Sequence, residues 1–391
     1  MKVLLLTGDW KWTGPAGPML ELAVGLRERG CDVSLACPEP PEAGARGVAG
    51  EARARGFEPA LVLSRGRGVR PLGDRDDARR LRALVERAGT EVLHAWHTRD
   101  HALALRAAGL RPGRRRAAVV RSWRKAEPIP ATPWDRWLFG PGCDGLLCVS
   151  PGVAERCRPV RGRRPVRGAF GAVDLDRFAP RNPDAALRGA LGLAPGDLVV
   201  GIVARVQAHR RFDLLLEAFA RLARAEPRAH FLVVGRGTRR AELAEAPARR
   251  LGLGERVLFA GYRSDDYADV LGCIDVFTFL VPGSDGTCRA LLEAQACGIP
   301  AVTTRRGSLA EIVAHGETGL VVSEDPNALA AAWGRLLGEP DERRAFGAAA
   351  RKRAEALFQP ARLAAEVEAL YAEAVAASGA SPRPWSETSS R

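Results

Sequence analysis

Short apolar runs of strand length recur along the whole chain, and segments with helical spacing follow them. In the first 175 residues these runs are KVLLLT, CDVSLAC, PALVLS, TEVLHAW, RAAVVRS and DGLLCVS. Helical periods fall between them at Pro18–Arg29, Asp74–Ala88 and His101–Ala108. A second series opens at LVVGIVARV (198–206) and continues through AHFLVVG, RVLFAG, IDVFTFL and IPAVTT. Strands joined through helices run parallel, and a parallel sheet needs both faces covered. The alternation therefore predicts two doubly wound α/β domains. In such sheets ligands bind beyond the carboxyl ends of the strands, so the loops there are the ones to search.

The passage between the two series, VRGAFGAVDLDRFAP followed by RNPDAALRGALGLAPGD, is punctuated by Pro and Gly as a domain junction would be. It divides the chain into residues 1–178 and 179–358, a terminal helix at 359–378, and a polar tail at 379–391 expected to be disordered. At 391 residues, 46% hydrophobic and 27% charged, the chain has the composition of a soluble two-domain protein. The opening VLLLT is too short for a signal peptide, and no apolar run reaches a membrane span of about 20 residues. The eight cysteines form no CxxC pair and have no His partners at zinc spacing, so reduced thiols and a cytoplasmic setting are expected. A net charge of +13 is compatible with nucleic acid or anionic membrane. Arg far outnumbers Lys, and Ala, Gly and Pro are abundant, as in GC-rich coding sequence, so the charge alone names no partner.

The stretch from Val281 to Pro300, VPGSDGTCRALLEAQACGIP, carries the most chemistry. It reads as a strand end, a Gly- and Ser-containing loop, and a helix running from Gly286 or Thr287 to Cys297-Gly298. A helix start after a parallel strand offers free backbone N–H groups to an anion. Asp285 stands at the threshold and Glu293 inside, eight residues apart. This stretch resembles the signature of the family-4 retaining glycosyltransferases, E-G-F-G-x-x-x-x-E-A-x-A-C-G-x-P. LLEAQACGIPAV matches closely; Asp285 replaces Glu, and Thr287-Cys288-Arg289 replace Phe-Gly-Leu.

The resemblance extends along the second half. GIVARVQAHRRFDLLLEAF is similar to the family's G-R-x-x-x-x-K-G-x-D-x-L-L-x-A-F, with Arg205 at the Arg position, Arg210 at the Lys, Arg211 at the Gly and Asp213 at the Asp. It implies that Arg205 and Arg210 hold a diphosphate leaving group. Gly235 and Gly237 match a Gly-x-Gly where backbone passes the nucleotide, and Tyr262 and Arg263 fall where relatives hold the base. Glu293 would take the ribose, Asp285 the sugar, with Gly286, Thr287 and Cys288 lining the donor site. At the junction, Gly171-Ala172-Val173-Asp174 and Phe178 keep most of P-N-G-V-D-x-x-x-F.

In the first half the match is looser. The loop GDWKWTGPAGP resembles the family's Gly-Gly loop and brings Gly14, Ala16 and Gly17 toward diphosphate and acceptor; Trp10 and Trp12 are either sugar platforms or loop anchors. VLHAWHTRDH offers His94, His97, Asp100 and His101. The two rings of His-x-x-His at a strand end point to opposite faces, which argues against a shared metal. The resemblance places His97 in the cleft as a catalytic candidate. Arg124 stands where many relatives have a donor-contacting His, and with Arg121 forms either a solvated basic rim or a guanidinium contact to an anionic acceptor.

The resemblance implies a GT-B fold, with two Rossmann-like domains facing across a cleft, acceptor on the first and donor on the second. It implies metal-free transfer, without cofactor, from a nucleotide-sugar to a cell-surface glycan or lipid-linked acceptor. A peripheral contact with anionic membrane fits the charge; nucleic acid is not expected. Two other classes compete: a GT-B sugar-nucleotide epimerase, and a basic nucleic-acid- or membrane-binding protein.

Overall fold

The structure, a computed structural model, describes residues 1–12, 16–42, 44–66, 71–182, 184–283 and 286–379. The chain divides into two compact units, one of Met1–Phe170 with the segment from Pro360 onward, the other Gly171–Gln359. The division falls at Phe170/Gly171, ahead of the 178/179 expected. The polar tail beyond Gly379 lies outside the described residues.

The first unit is built on a seven-stranded parallel sheet of β1 (Lys2–Leu6), β2 (Asp32–Cys37), β3 (Pro59–Val62), β4 (Val92–Ala95), β5 (Ala118–Trp123), β6 (Gly145–Cys148) and β7 (Val166–Gly168). Its order is β3-β2-β1-β4-β5-β6-β7. β4, β5 and β6 are buried along their whole length, as expected of strands covered on both faces. Helices Ala16–Glu28 and Pro360–Ser378 pack over one face, where Leu20, Leu26, Ala364, Val367 and Tyr371 share a core with Val3, Leu5, Val92 and Val120. Helices Pro71–Ala88, Thr98–Ala108 and Pro151–Arg161 cover the other.

The second unit holds six parallel strands: β8 (Leu198–Val203), β9 (Ala229–Val234), β10 (Val257–Gly261), β11 (Val276–Phe279), β12 (Ala301–Thr303) and β13 (Gly319–Val321), ordered β10-β9-β8-β11-β12-β13. The Phe212–Ala225 helix buries Phe212, Leu215, Leu216 and Phe219. Three helices follow β13, Pro326–Gly338, Pro340–Leu357 and the expected terminal one at Pro360–Ser378, each with Pro at the start, where a missing N–H costs no helical bond.

Both sheets reverse strand order once, at β1/β4 in the first unit and at β8/β11 in the second. At such a switch point the two following loops diverge to opposite faces and leave a crevice between them. Among the described residues no helix is long and apolar enough to cross a membrane.

Candidate active site

In the second unit the β8 and β11 loops are far apart in sequence and adjacent in space, because those strands pair directly, Val276 with Val200 and Phe277 with Gly201. Arg210, at the end of the short 3-10 turn Ala208–Arg210, reaches across: its Nη1 donates to the Val281 carbonyl at 2.8 Å, and its guanidinium lies 5.1 Å from the Phe279 ring centroid. Arg205 follows β8 and is exposed. The two sequence-predicted cations thus stand on one loop at the switch point.

Gly235 and Gly237 press on the same loop. A Cβ on Gly235 would sit 2.2 Å from the Ala204 carbonyl oxygen, and one on Gly237 would sit 2.4 Å from that of Val206. Gly235 also has φ +141°. The Gly-x-Gly is therefore required where the loop after β9 crosses the loop after β8, a packing reason independent of any nucleotide.

The signature helix runs Arg289–Ala296, later than the Gly286–Thr287 start expected from sequence. The delay has a local cause. Cys288, at the N-cap, is left-handed (φ 52°, ψ 37°), and Gly286 is also left-handed (φ 64°), so the chain turns twice before helix begins. Ser308 Oγ donates to the Gly286 carbonyl at 3.2 Å and fixes this turn to the loop after β12. Thr287 and Cys288 are buried. Asp285 and its neighbour Ser284 lie outside the described residues, as does Gly14 of the first loop.

Glu293 is only 5% exposed. Tyr267 donates to its Oε2 at 2.8 Å, and Arg289 Nε to its Oε1 at 2.7 Å. Burial, followed by the Glu293 charge, raises the Tyr267 pKa well above its ordinary value, so the phenol stays a donor. Tyr267 in turn meets Phe178 edge-on at 5.7 Å. The Phe of the junction pattern therefore braces the tyrosine that braces Glu293. Arg351 closes the arrangement, with Nη1 donating to the carbonyls of Leu175, Phe178 and Ala296. It satisfies the carboxyl end of the signature helix and holds the junction to it. Sequence reasoning missed Tyr267 and Arg351; neither stands in a motif, and their value comes from contacts 26 and 55 residues away.

On the rim, Tyr262 is 61% exposed beneath the Arg236 guanidinium at 4.5 Å, and Arg263 pairs with Asp266 at 2.6 Å.

The first unit repeats the scheme. Asp100 is fully buried; its Oδ1 accepts from Gly8 N–H at 2.8 Å and its Oδ2 from His97 N–H at 2.8 Å. One carboxylate thus joins the loops after β1 and β4. Arg99, also buried, pairs with Asp74 at 2.7 Å and Asp77 at 2.8 Å and donates to the Ser64 carbonyl, adding the loop after β3. His97 caps the Thr98–Ala108 helix with its Nδ1 3.1 Å from Asp100 and 3.4 Å from Thr7 Oγ1, and is partly exposed at the mouth. Ala16 and Gly17 are the buried first residues of their helix. Trp12 lies under Arg46 and Arg55, at 5.8 and 5.3 Å, as a loop anchor.

His94 is a satisfied core residue: Nδ1 meets Tyr371 Oη at 2.7 Å and Nε2 meets Ser122 Oγ at 2.8 Å. His101 bonds the Gly142 carbonyl on another side, at 2.9 Å. The histidines therefore do not converge. Among the described residues no group of three or more His, Cys, Asp or Glu side chains converges to hold a metal.

Arg121 corrects its reading. It is neither a solvated rim nor an acceptor contact, because it is 6% exposed and its Nη1 is spent on the carbonyls of Ala95, Trp96 and Ser122. Burial lowers its pKa to about 10. The residue binds the ends of β4 and β5 together. Arg124 is partly exposed and stacks over the Trp96 ring at 5.0 Å.

Two parallel sheets of this order, each gathering polar side chains at its switch point, define an α/β enzyme architecture of the GT-B type. Residues 19–177 match the family described as Glycosyltransferase Family 4, and residues 197–339 the one described as Glycosyl transferases group 1. The chain belongs to this family of glycosyltransferases. It is 36% identical over 195 residues to the D-inositol 3-phosphate glycosyltransferase of Rhodococcus opacus, covering 47% of this chain and 42% of that one. It is 36% identical over 188 residues to the GDP-mannose-dependent alpha-(1-6)-phosphatidylinositol monomannoside mannosyltransferase of Mycolicibacterium smegmatis, covering 46% and 49%. The chain thus spans less than half the length of these curated relatives. Whole-chain likeness is seen with a glycosyltransferase from Rickettsia africae (TM-score 0.81, 15% identity, 96% of this chain and 98% of that one). It is seen again with Anabaena HepE in complex with UDP-glucose (TM-score 0.74, 19% identity, 94% and 99%).

Proposed function

We propose that this chain is a retaining glycosyltransferase that moves a sugar from a nucleotide-sugar to a glycan or lipid-linked acceptor, in the manner of lipopolysaccharide and polysaccharide assembly. The observation that carries the reading is the meeting of the β8 and β11 loops, where Arg210 is bonded to Val281 a short way before the Glu293 helix. A diphosphate seated there would receive charge-assisted hydrogen bonds from Arg205 and Arg210 as negative charge grows on the leaving oxygen. Glu293 would accept from the ribose diol and Asp285 from the sugar. The sugar C1–O(phosphate) bond breaks, the acceptor oxygen bonds C1 on the same face, and its proton passes to a donor phosphate oxygen. The protein supplies orientation and electrostatics, without a resident metal or cofactor. His97 lies on the acceptor side of the scheme. The proposed setting is the cytoplasm, with peripheral contact to anionic membrane and no nucleic-acid partner.

The named relative that uses GDP-mannose and the neighbour holding UDP-glucose give the starting panel of donors. A thermal-shift series with UDP-, GDP-, ADP- and dTDP-sugars tests the reading, because a bound donor stabilises by mass action. One class should raise the melting temperature selectively. The product made from that donor in excess EDTA should keep the donor's anomeric configuration by NMR. An inverted product, conversion of the donor without acceptor, or activity that needs added Mg2+ would overturn it.

A further inference from the structure

The net charge is confined to one part of the chain. Residues 1–170 carry 31 Lys and Arg against 18 Asp and Glu, the whole excess of 13, while residues 171–391 balance at 28 against 28. Within the first unit, residues 111–167 hold 14 cations against 4 acids. That segment surrounds the helix Pro133–Phe139, whose Trp134 and Trp137 are 64% and 40% exposed. The rings stack with centroids 5.2 Å apart and planes at 28°. Three residues apart, they share one helix face, while Leu138 and Phe139 point into the core.

The basic flanks are fixed beside this helix. Arg115 Nη2 donates to the Pro141 carbonyl at 2.5 Å, just past the helix end, and so anchors the RPGRRR run. Arg161, at the end of the Pro151–Arg161 helix, donates to the Phe139 carbonyl. Arg111 and Arg114 remain exposed on the first of these flanks, Arg163 on the second, and Arg136 on the helix itself. Three of the four acids are engaged elsewhere: Asp135 accepts from Thr132 Oγ1 at 2.6 Å, Glu155 pairs with Arg158 at 2.6 Å, and Asp144 pairs with Arg115 in the interior.

We propose that this face of the first unit docks on an anionic lipid bilayer, with Trp134 and Trp137 at headgroup level and the arginines of the helix and its two flanks on lipid phosphates. An indole has an apolar body and a polar N–H, which suits the boundary between acyl chain and water. Guanidinium forks match phosphate oxygens, and each cation near an anionic surface adds attraction. A single-stranded nucleic acid is disfavoured as the occupant. It needs aromatic faces open to bases along a groove, whereas these rings stack on each other on a convex helix. The proposal does not depend on the sugar-transfer reading.

The test is flotation of the full chain with vesicles of phosphatidylcholine, either alone or with about a third phosphatidylglycerol. The chain should float with the anionic vesicles and at least about tenfold less with neutral ones. W134S/W137S should lower partition about tenfold or more, and R111S/R114S/R163S roughly a hundredfold, with circular dichroism and melting unchanged. Brominated acyl chains should quench wild-type tryptophan fluorescence, a readout that needs no variant. Equal partition into both vesicles, no partition, unchanged partition of W134S/W137S, or absence of quenching would each overturn the proposal. So would retention on polyuridylate without vesicle binding.

Discussion

Tyr267 and Glu293 form a part-buried hydrogen bond of 2.8 Å, phenol to a carboxylate carried inside the Arg289–Ala296 helix. With Arg289 on the other oxygen, both oxygens of the carboxylate are held by donors, and an ionised carboxylate has lone pairs enough to accept a diol as well. Removing the phenol leaves a buried charge with weaker support. Tyr267→Phe should cost about 1–3 kcal/mol of stability by urea denaturation. Glu293→Gln should weaken nucleoside diphosphate and nucleotide-sugar alike. Calorimetry showing that only one of the two ligands is affected would remove Glu293 from the ribose.

The glycines of the second unit make a prediction from close approach, to which the φ of +141° adds at Gly235. Gly235→Ala and Gly237→Ala drive a methyl onto the Ala204 and Val206 carbonyls at 2.2 and 2.4 Å, and backbone cannot swing aside as a side chain can. Each should destabilise the chain by at least about 2 kcal/mol. Gly252→Ala has open space around its methyl, so its cost should be that of a left-handed φ alone. Equal midpoints for all three would show that the loops part easily.

The cations are tested by rate. Arg205→Ala and Arg210→Ala should each lose about 2–4 kcal/mol in kcat/KM, the size of one preorganised charge contact. Arg210→Ala should also loosen the β11 loop, since it holds the Val281 carbonyl, and so should show the larger loss of thermal stability. Near-wild-type kinetics in both folded variants would remove the diphosphate from this loop.

Much of this architecture was legible because its signal is local. The runs that became β4, β5 and β8 are apolar and bounded, and a parallel sheet follows from strand–helix alternation. β7, with the sequence VRG and only partial burial, carries no such signal and exists because β6 offers it an edge. The short helices Val48–Arg53 and Pro133–Phe139 were invisible for the same reason: each depends on tertiary contacts more than on period. Arg121 shows the limit for single residues. An arginine at a strand end reads as a rim charge, and only the fold reveals that three carbonyls close over it.

Departures from the family pattern were legible as departures, and the backbone supplies their meaning. Arg211 and Cys288 are the two non-glycine residues with positive φ among those described, and both stand where the family pattern has Gly. Each precedes a helix of the second unit, so the left-handed geometry persists although the glycine is gone. For Arg211 the strain is offset in part by an ion pair with Glu324 at 2.9 Å, one-third exposed and therefore worth little. Arg211→Gly relieves the strain and loses the pair; Arg211→Ala loses the pair and keeps the strain. The glycine variant should be more stable than the alanine variant by about 1 kcal/mol. The reverse order in chemical denaturation would show that the backbone there is not strained.

The last prediction concerns acid. His94 is fully buried between Tyr371 and Ser122, and burial, reinforced by the Arg121 and Arg124 charges, lowers its pKa from 6.5 to about 3. His101, buried against Gly142, is lowered to about 3 by burial and the Arg121 charge. Well above pH 6.5 both rings are neutral, folded or unfolded, and contribute no pH dependence. Between pH 6.5 and about 3 the unfolded chain binds protons that the folded unit does not, so stability falls as pH falls. Each histidine contributes up to about 1.4 kcal/mol per pH unit to that slope. His94→Gln keeps a polar side chain at the site, removes the titration, and should roughly halve the share of the slope that these two histidines contribute between about pH 6 and pH 4. At neutral pH it should cost stability, because the fit between Tyr371 and Ser122 is lost. Urea denaturation at several pH values measures both effects. A slope unchanged by His94→Gln would mean that the ring is protonated in the folded protein, in conflict with its burial beside two arginines.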